Sequence, residues 1–132
     1  MKTIGEFYKE KILSLPEDMR STREIPYSFL ENMKIKKELF GWKIFYTRPG
    51  RKSLKVIECR SKEEARYLRI LIDSGMMEIS VPNDDEYIKN ILPELERIKT
   101  KIDEILNHYM QTILNRKIRE QLKYAVFMEI IK

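Results

Sequence analysis

From Asp84 to Lys132 the chain contains no glycine and a single proline, Pro93, and its apolar residues recur at helical spacings. That stretch is therefore expected to be helical, and any strands must come from the residues before it. Asn83 or Asp84 supplies a cap, and Pro93 marks a kink or a restart. Leu95, Ile98, Ile102, Ile105 and Tyr109 follow a 3-4-3-4 spacing, a narrow seam of coiled-coil type that drifts in phase through Ile113, Ile118, Leu122, Ala125 and Ile130. An unbroken helix from Glu94 to Ile131 would measure ~57 Å at the standard rise, longer than a domain of this size. Two outcomes follow. Either the helix projects and its seam pairs with a second copy, giving a homodimer, or it bends at Asn115-Arg116 and lays Lys117 to Lys132 back on the body.

The rest of the chain reads as helix, loop, hairpin, helix and strand. Thr3 as cap and Glu6 three positions later form a capping box for a helix over Ile4 to Leu15, which ends before Pro16. Pro16 to Pro26 has no apolar period and is expected to be a loop, and Tyr27 to Met33 a short helical turn. Two strands then flank Arg48-Pro49-Gly50-Arg51-Lys52, with Pro49 and Gly50 suited to the central positions of a type II turn. Thr47 facing Ser53 puts Trp42, Ile44, Tyr46, Leu54 and Val56 on one face, the expected core side. Ser61 and Glu64 form a second capping box for a helix that stops at Gly75, and Met77, Ile79 and Val81 alternate as a half-buried strand closed by Pro82. The expected class is α+β. A small three-stranded sheet, made of the hairpin and one further strand, is packed by helices and followed by a long C-terminal helical segment. The 132 residues suit one domain: a helical and loop region over 1–33, a ββαβ core with the basic hairpin over 34–82, and a helical region over 83–132.

Charge is distributed unevenly. Lys34 to Arg69 carries twelve basic residues against four acidic ones, a local charge of +8 in a chain whose total is +5. Cations gathered on an exposed hairpin suit a polyanion, so Arg48, Arg51 and Lys52 at the tip and Lys43, Lys55 and Arg60 along the strands are the candidate contacts to DNA or RNA. The alternative is an interaction or regulatory module that docks a partner protein through the C-terminal helices. With 42% hydrophobic and 36% charged residues the chain is too apolar for disorder and too evenly interrupted for a membrane span. Charged residues interrupt Met1 to Ile12, where a secretion signal needs an apolar run, so a cytoplasmic location is expected.

Reaction chemistry has few candidates. Cys59 and His108 are the only cysteine and histidine, which rules out a disulfide within the chain and a Cys/His zinc site. Gly5, Gly41, Gly50 and Gly75 are too far apart for a phosphate-binding loop, and no cofactor is expected. Asp84, Asp85 and Glu86 fit the first turn of a helix, where the dipole favours negative charge. Val56-Ile57-Glu58-Cys59-Arg60 resembles the second half of the signature of metal-dependent nucleases of the PD-(D/E)xK superfamily, an apolar strand ending in acid-any-Lys. The resemblance implies Mg²⁺ held between Glu58 and an acid on the preceding strand, with a lysine positioning water. Here Phe45, Tyr46 and Thr47 stand where that acid belongs and Arg60 replaces the lysine, so neither a catalytic residue nor a metal ligand is assigned.

Overall fold

The computed structural model describes residues 2–110 and 116–129. The protein is α+β: a three-stranded antiparallel sheet and a two-stranded sheet, packed by helices that include one of 26 residues. In chain order the elements are α1 (Ile4–Tyr8), which continues as a π turn over Lys9–Leu13, then β1 (Arg20–Glu24), β2 (Glu31–Glu38), β3 (Gly41–Thr47) and β4 (Leu54–Cys59). They are followed by α2 (Lys62–Asp73), β5 (Glu78–Pro82), α3 (Asp85–Met110) and α4 (Arg116–Tyr124), the last continued by a π turn over Ala125–Glu129. Among these residues no helix is long and apolar enough to cross a membrane.

The three-stranded sheet runs β2-β3-β4, and its third member differs from the strand expected. Glu31–Glu38, read from sequence partly as a helical turn, pairs with β3, and Met77–Val81 does not join. The chain turns through Phe29 at φ 54°, and β2 carries a bulge beside Asn32, whose φ is 55°. β5 instead pairs antiparallel with β1, Thr22 opposite Ser80, inside what the sequence presented as a loop. The other edge of β5 is occupied by two phenols. Tyr8 Oη accepts from the Ser80 amide at 2.8 Å, and Tyr67 Oη donates to the Ser80 carbonyl at 2.7 Å. With both backbone groups satisfied, that edge has no ladder to offer a further strand.

The hairpin turn forms as expected, with Gly50 at φ 74° and the Arg51 amide donating to the Arg48 carbonyl at 3.0 Å. The register is one residue off the expected one: Thr47 pairs with Leu54, Ile44 with Ile57 and Trp42 with Cys59. A one-residue slip exchanges faces. Ile57 and Cys59 are thus buried with Ile44 and Tyr46, whereas Leu54 and Val56 are 64% and 42% exposed. The reason lies downstream. Ser61 caps α2 directly after β4, so the end of β4 nearest that helix points inward, and the helix buries Ala65, Leu68, Leu71 and Ile72.

One buried cluster joins α1, β3, β4, α2, β5, α3 and the C-terminal turn. Pro93 lies inside α3 without ending it. The C-terminal segment folds back rather than projecting: Phe127 is fully buried, Lys123 binds Asp73 at 2.8 Å, and a Cβ on Gly5 would lie 2.8 Å from the Met128 carbonyl oxygen. The expected bend at Asn115, and Ile113 and Ile130 of the drifting seam, lie outside the described residues.

Candidate nucleic-acid interface

Residues 31–59, the three-stranded sheet with its two turns, carry eight basic and three acidic residues, 8 − 3 = +5. That equals the net charge of the whole chain, so everything outside the sheet sums to zero. Local sequence explains the exposure of these cations. Strand alternation sends Lys34, Lys36 and Lys43 to the face opposite Ile44, and the turn lifts Arg51 and Lys52 beyond the strands.

The six cations expected to bind divide into groups. Arg51 and Lys52 are exposed at the tip, Lys55 is exposed on β4 opposite Tyr46 and Lys43 is half-buried on the open face, and none has a carboxylate within ion-pair distance among the described residues. Arg48 is turned back, its guanidinium 4.0 Å from the centroid of the Tyr27 ring. Tyr46 lies beside this pair; burial and the neighbouring Tyr27 raise its phenol, outweighing the opposing charge of Arg48. Arg60 departs furthest from the expectation. It binds Asp85 at 2.8 Å, Glu64 at 3.3 Å and the Pro82 carbonyl at 2.9 Å, tying the end of β4 to the start of α3. It is a tie within the fold.

Sequence reasoning left Lys34 and Lys36 out of the candidate set, because β2 was not read as a strand. It also missed Phe45, which pairs with Lys34 on β2 and Val56 on β4 and has the Lys36 ammonium 5.7 Å from its ring centroid. Alternating apolar and basic residues over Met33 to Lys36 was the available signal.

The groups that carry reactions are differently placed. Burial, with Glu64 nearby, pushes the Cys59 thiol up to about 12, so it stays protonated and is a poor nucleophile near neutrality. Glu58, the acid of the nuclease resemblance, faces Lys43 across the strands, and no group of three or more potential metal ligands occurs among the described residues. Glu64 is 2% exposed and accepts from Arg23 at 2.8 Å and from the Arg60 amide at 3.2 Å. It is the enclosed member of an ion cluster whose arginines are partly exposed.

No family model, curated protein or solved structure matches the chain. Function must therefore be argued from this geometry.

The seam proposed for self-association is covered within one chain. Leu95, Ile98 and Ile102 are buried in the core and Ile105 is 39% exposed, while the Tyr109 side chain lies outside what is described. The 3-4-3-4 spacing reports the stripe with which α3 packs on its own body. A stripe that packs inside a domain and one that packs against a second copy obey the same period.

Proposed function

We propose that this is a small, non-enzymatic nucleic-acid-binding protein that contacts phosphates through the β2-β3-β4 sheet. The observation that carries the reading is the coincidence of the chain's entire net charge with one sheet whose cations have no carboxylate within ion-pair distance among the described residues, while elsewhere Lys2, Arg23, Arg60, Arg66, Lys99 and Lys123, six of the eighteen other cations, are paired. A cation without a protein partner keeps its full attraction for a phosphate, and each phosphate neutralised releases condensed counterions. Lys36, Lys43, Arg51 and Lys52 form the contact set, with Lys34 beside them on the open face, whereas Lys37 and Lys55 alternate to the other side, opposite Trp42 and Tyr46. Arg48 and Arg60 support the fold at its margins. A cytoplasmic setting belongs to the same proposal. Dimerisation through α3 does not, since its apolar stripe is used internally.

The test is binding of labelled DNA and RNA across a salt titration. The slope of log affinity against log salt should fall by about 3 when Lys36, Lys43, Arg51 and Lys52 are replaced by alanine together, with affinity at low salt at least tenfold weaker. Binding by that variant equal to wild type, with its fold intact, would remove the reading.

A further inference from the structure

We infer that the open face of the β2-β3-β4 sheet is a stacking platform for single-stranded nucleic acid, with Phe45 stacking on a base and Lys34, Lys36 and Lys43 holding the adjacent phosphates. This rests on the nucleic-acid reading above and narrows it to unpaired strands.

An antiparallel sheet with one face on the core is expected to be polar on the other. Here α2 covers the side with Ile44, Tyr46, Ile57 and Cys59, and alternation places Phe45, Val56 and Leu54 on the open side. Phe45 sits on the central strand, half-buried, in a row with Lys34 and Val56. The next row along the strands, ~7 Å away, is Lys36, Lys43 and Glu58. Glu58 on the edge strand leaves the positive charge of that row on β2 and β3, so a phosphate backbone would follow those two strands and reach Arg51 and Lys52 at the turn.

An aromatic ring among lysines on a wet sheet has a specific complement. A duplex hides the faces of its bases in the stack and offers only phosphates to such a surface. An unpaired strand offers both at once: a π face for Phe45 and flanking phosphates for the lysines. The Lys36 ammonium near the Phe45 ring already marks the ring as a site for a cation or a flat partner.

Fluorescence anisotropy at low salt, with labelled oligothymidine, labelled oligouridine and a blunt DNA duplex, tests this. Phe45→Leu keeps an apolar side chain without the ring, and Phe45→Tyr keeps the ring. Wild type should bind at least one oligonucleotide more tightly than the duplex. Phe45→Leu should weaken that binding about tenfold or more with duplex binding unchanged, and Phe45→Tyr should retain it. Equal single-strand affinity for wild type and Phe45→Leu, with circular dichroism confirming that both are folded, overturns the inference, as does a preference for duplex. In either case binding to some nucleic acid leaves the broader reading standing. Wild type that binds none of the three probes at low salt removes both.

Discussion

Glu64 illustrates what a single residue discloses in sequence and what it conceals. Its place three residues after Ser61 marks the start of α2, and the Ser61 hydroxyl does accept from the Glu64 amide at 3.1 Å. The expected reciprocal bond from the carboxylate to the cap amide is replaced. The carboxylate accepts from the Arg60 amide and from Arg23, a residue 41 positions away, and is almost fully enclosed. Local spacing revealed the cap, whereas the arginine on β1 became relevant only because β1 pairs with β5 and lies beside the end of β4. The carboxylate is the enclosed charge of this group, and its arginine partners are a third or more exposed. Glu64→Ala removes the acceptor of these bonds and is expected to lower unfolding free energy by about 2 kcal/mol, measured by denaturant titration, with Arg23→Ala costing less because its side chain is one-third exposed and Arg60 still holds the carboxylate. A loss below about 1 kcal/mol for Glu64→Ala would mean that the cluster contributes no cohesion.

At the scale of elements, both amphipathic helices with strong caps were legible because their signals are local, repeated and closed by a terminator. Strands were harder to read. β1, Arg-Ser-Thr-Arg-Glu, has no apolar residue, since a two-stranded ribbon at the surface needs none, and its strand character comes from its partner. The register of β3 and β4 turned on which apolar residues α2 would cover, a choice between two alternating sets that sequence alone leaves nearly balanced. β5 shows how side chains set topology: Tyr8 and Tyr67 occupy the edge that a third strand would have used. Tyr67 is fully buried, and burial pushes its hydroxyl well above the ordinary phenol range, so it remains a donor. Tyr67→Phe leaves the Ser80 carbonyl without that donor and is expected to cost about 1–3 kcal/mol. The same unfolding measurement checks it, and amide exchange at β5 should quicken. Unchanged stability would mean that water replaces the phenol.

Over the whole molecule, the C-terminal return brings charges on separate elements together. Burial alone would raise the Asp73 carboxyl at the end of α2, but the ammonium groups of Lys123 on α4 and Lys99 on α3 outweigh it and hold the group below the usual carboxylate range. A carboxyl lowered in the folded state contributes stability that is fully present above its unfolded value and is lost as pH falls through the lowered folded value. Acid should therefore release the C-terminal segment at pH below about 4. Asp73→Asn should reduce stability at pH 7 by roughly 2 kcal/mol and flatten the acid limb of the stability profile. Thermal unfolding from pH 7 to pH 2 distinguishes these outcomes, and an acid limb identical to wild type would contradict the role of Asp73. At this scale the distribution of charge also takes shape, since the remainder of the chain is neutral overall and the net positive charge stays with the sheet.

By itself the sequence determined the α+β class, the two capped helices, the type II turn and the concentration of positive charge around the hairpin, because each is encoded by residues within a few positions of one another. Only the tertiary structure decided the partner of β5, the hairpin register, the return of the C-terminal segment and which cations remain free. These depend on which surfaces meet once the chain is compact: Asp85, 25 residues away, joins nearby Glu64 on Arg60, while no carboxylate among the described residues reaches Lys36, Lys43, Arg51 or Lys52.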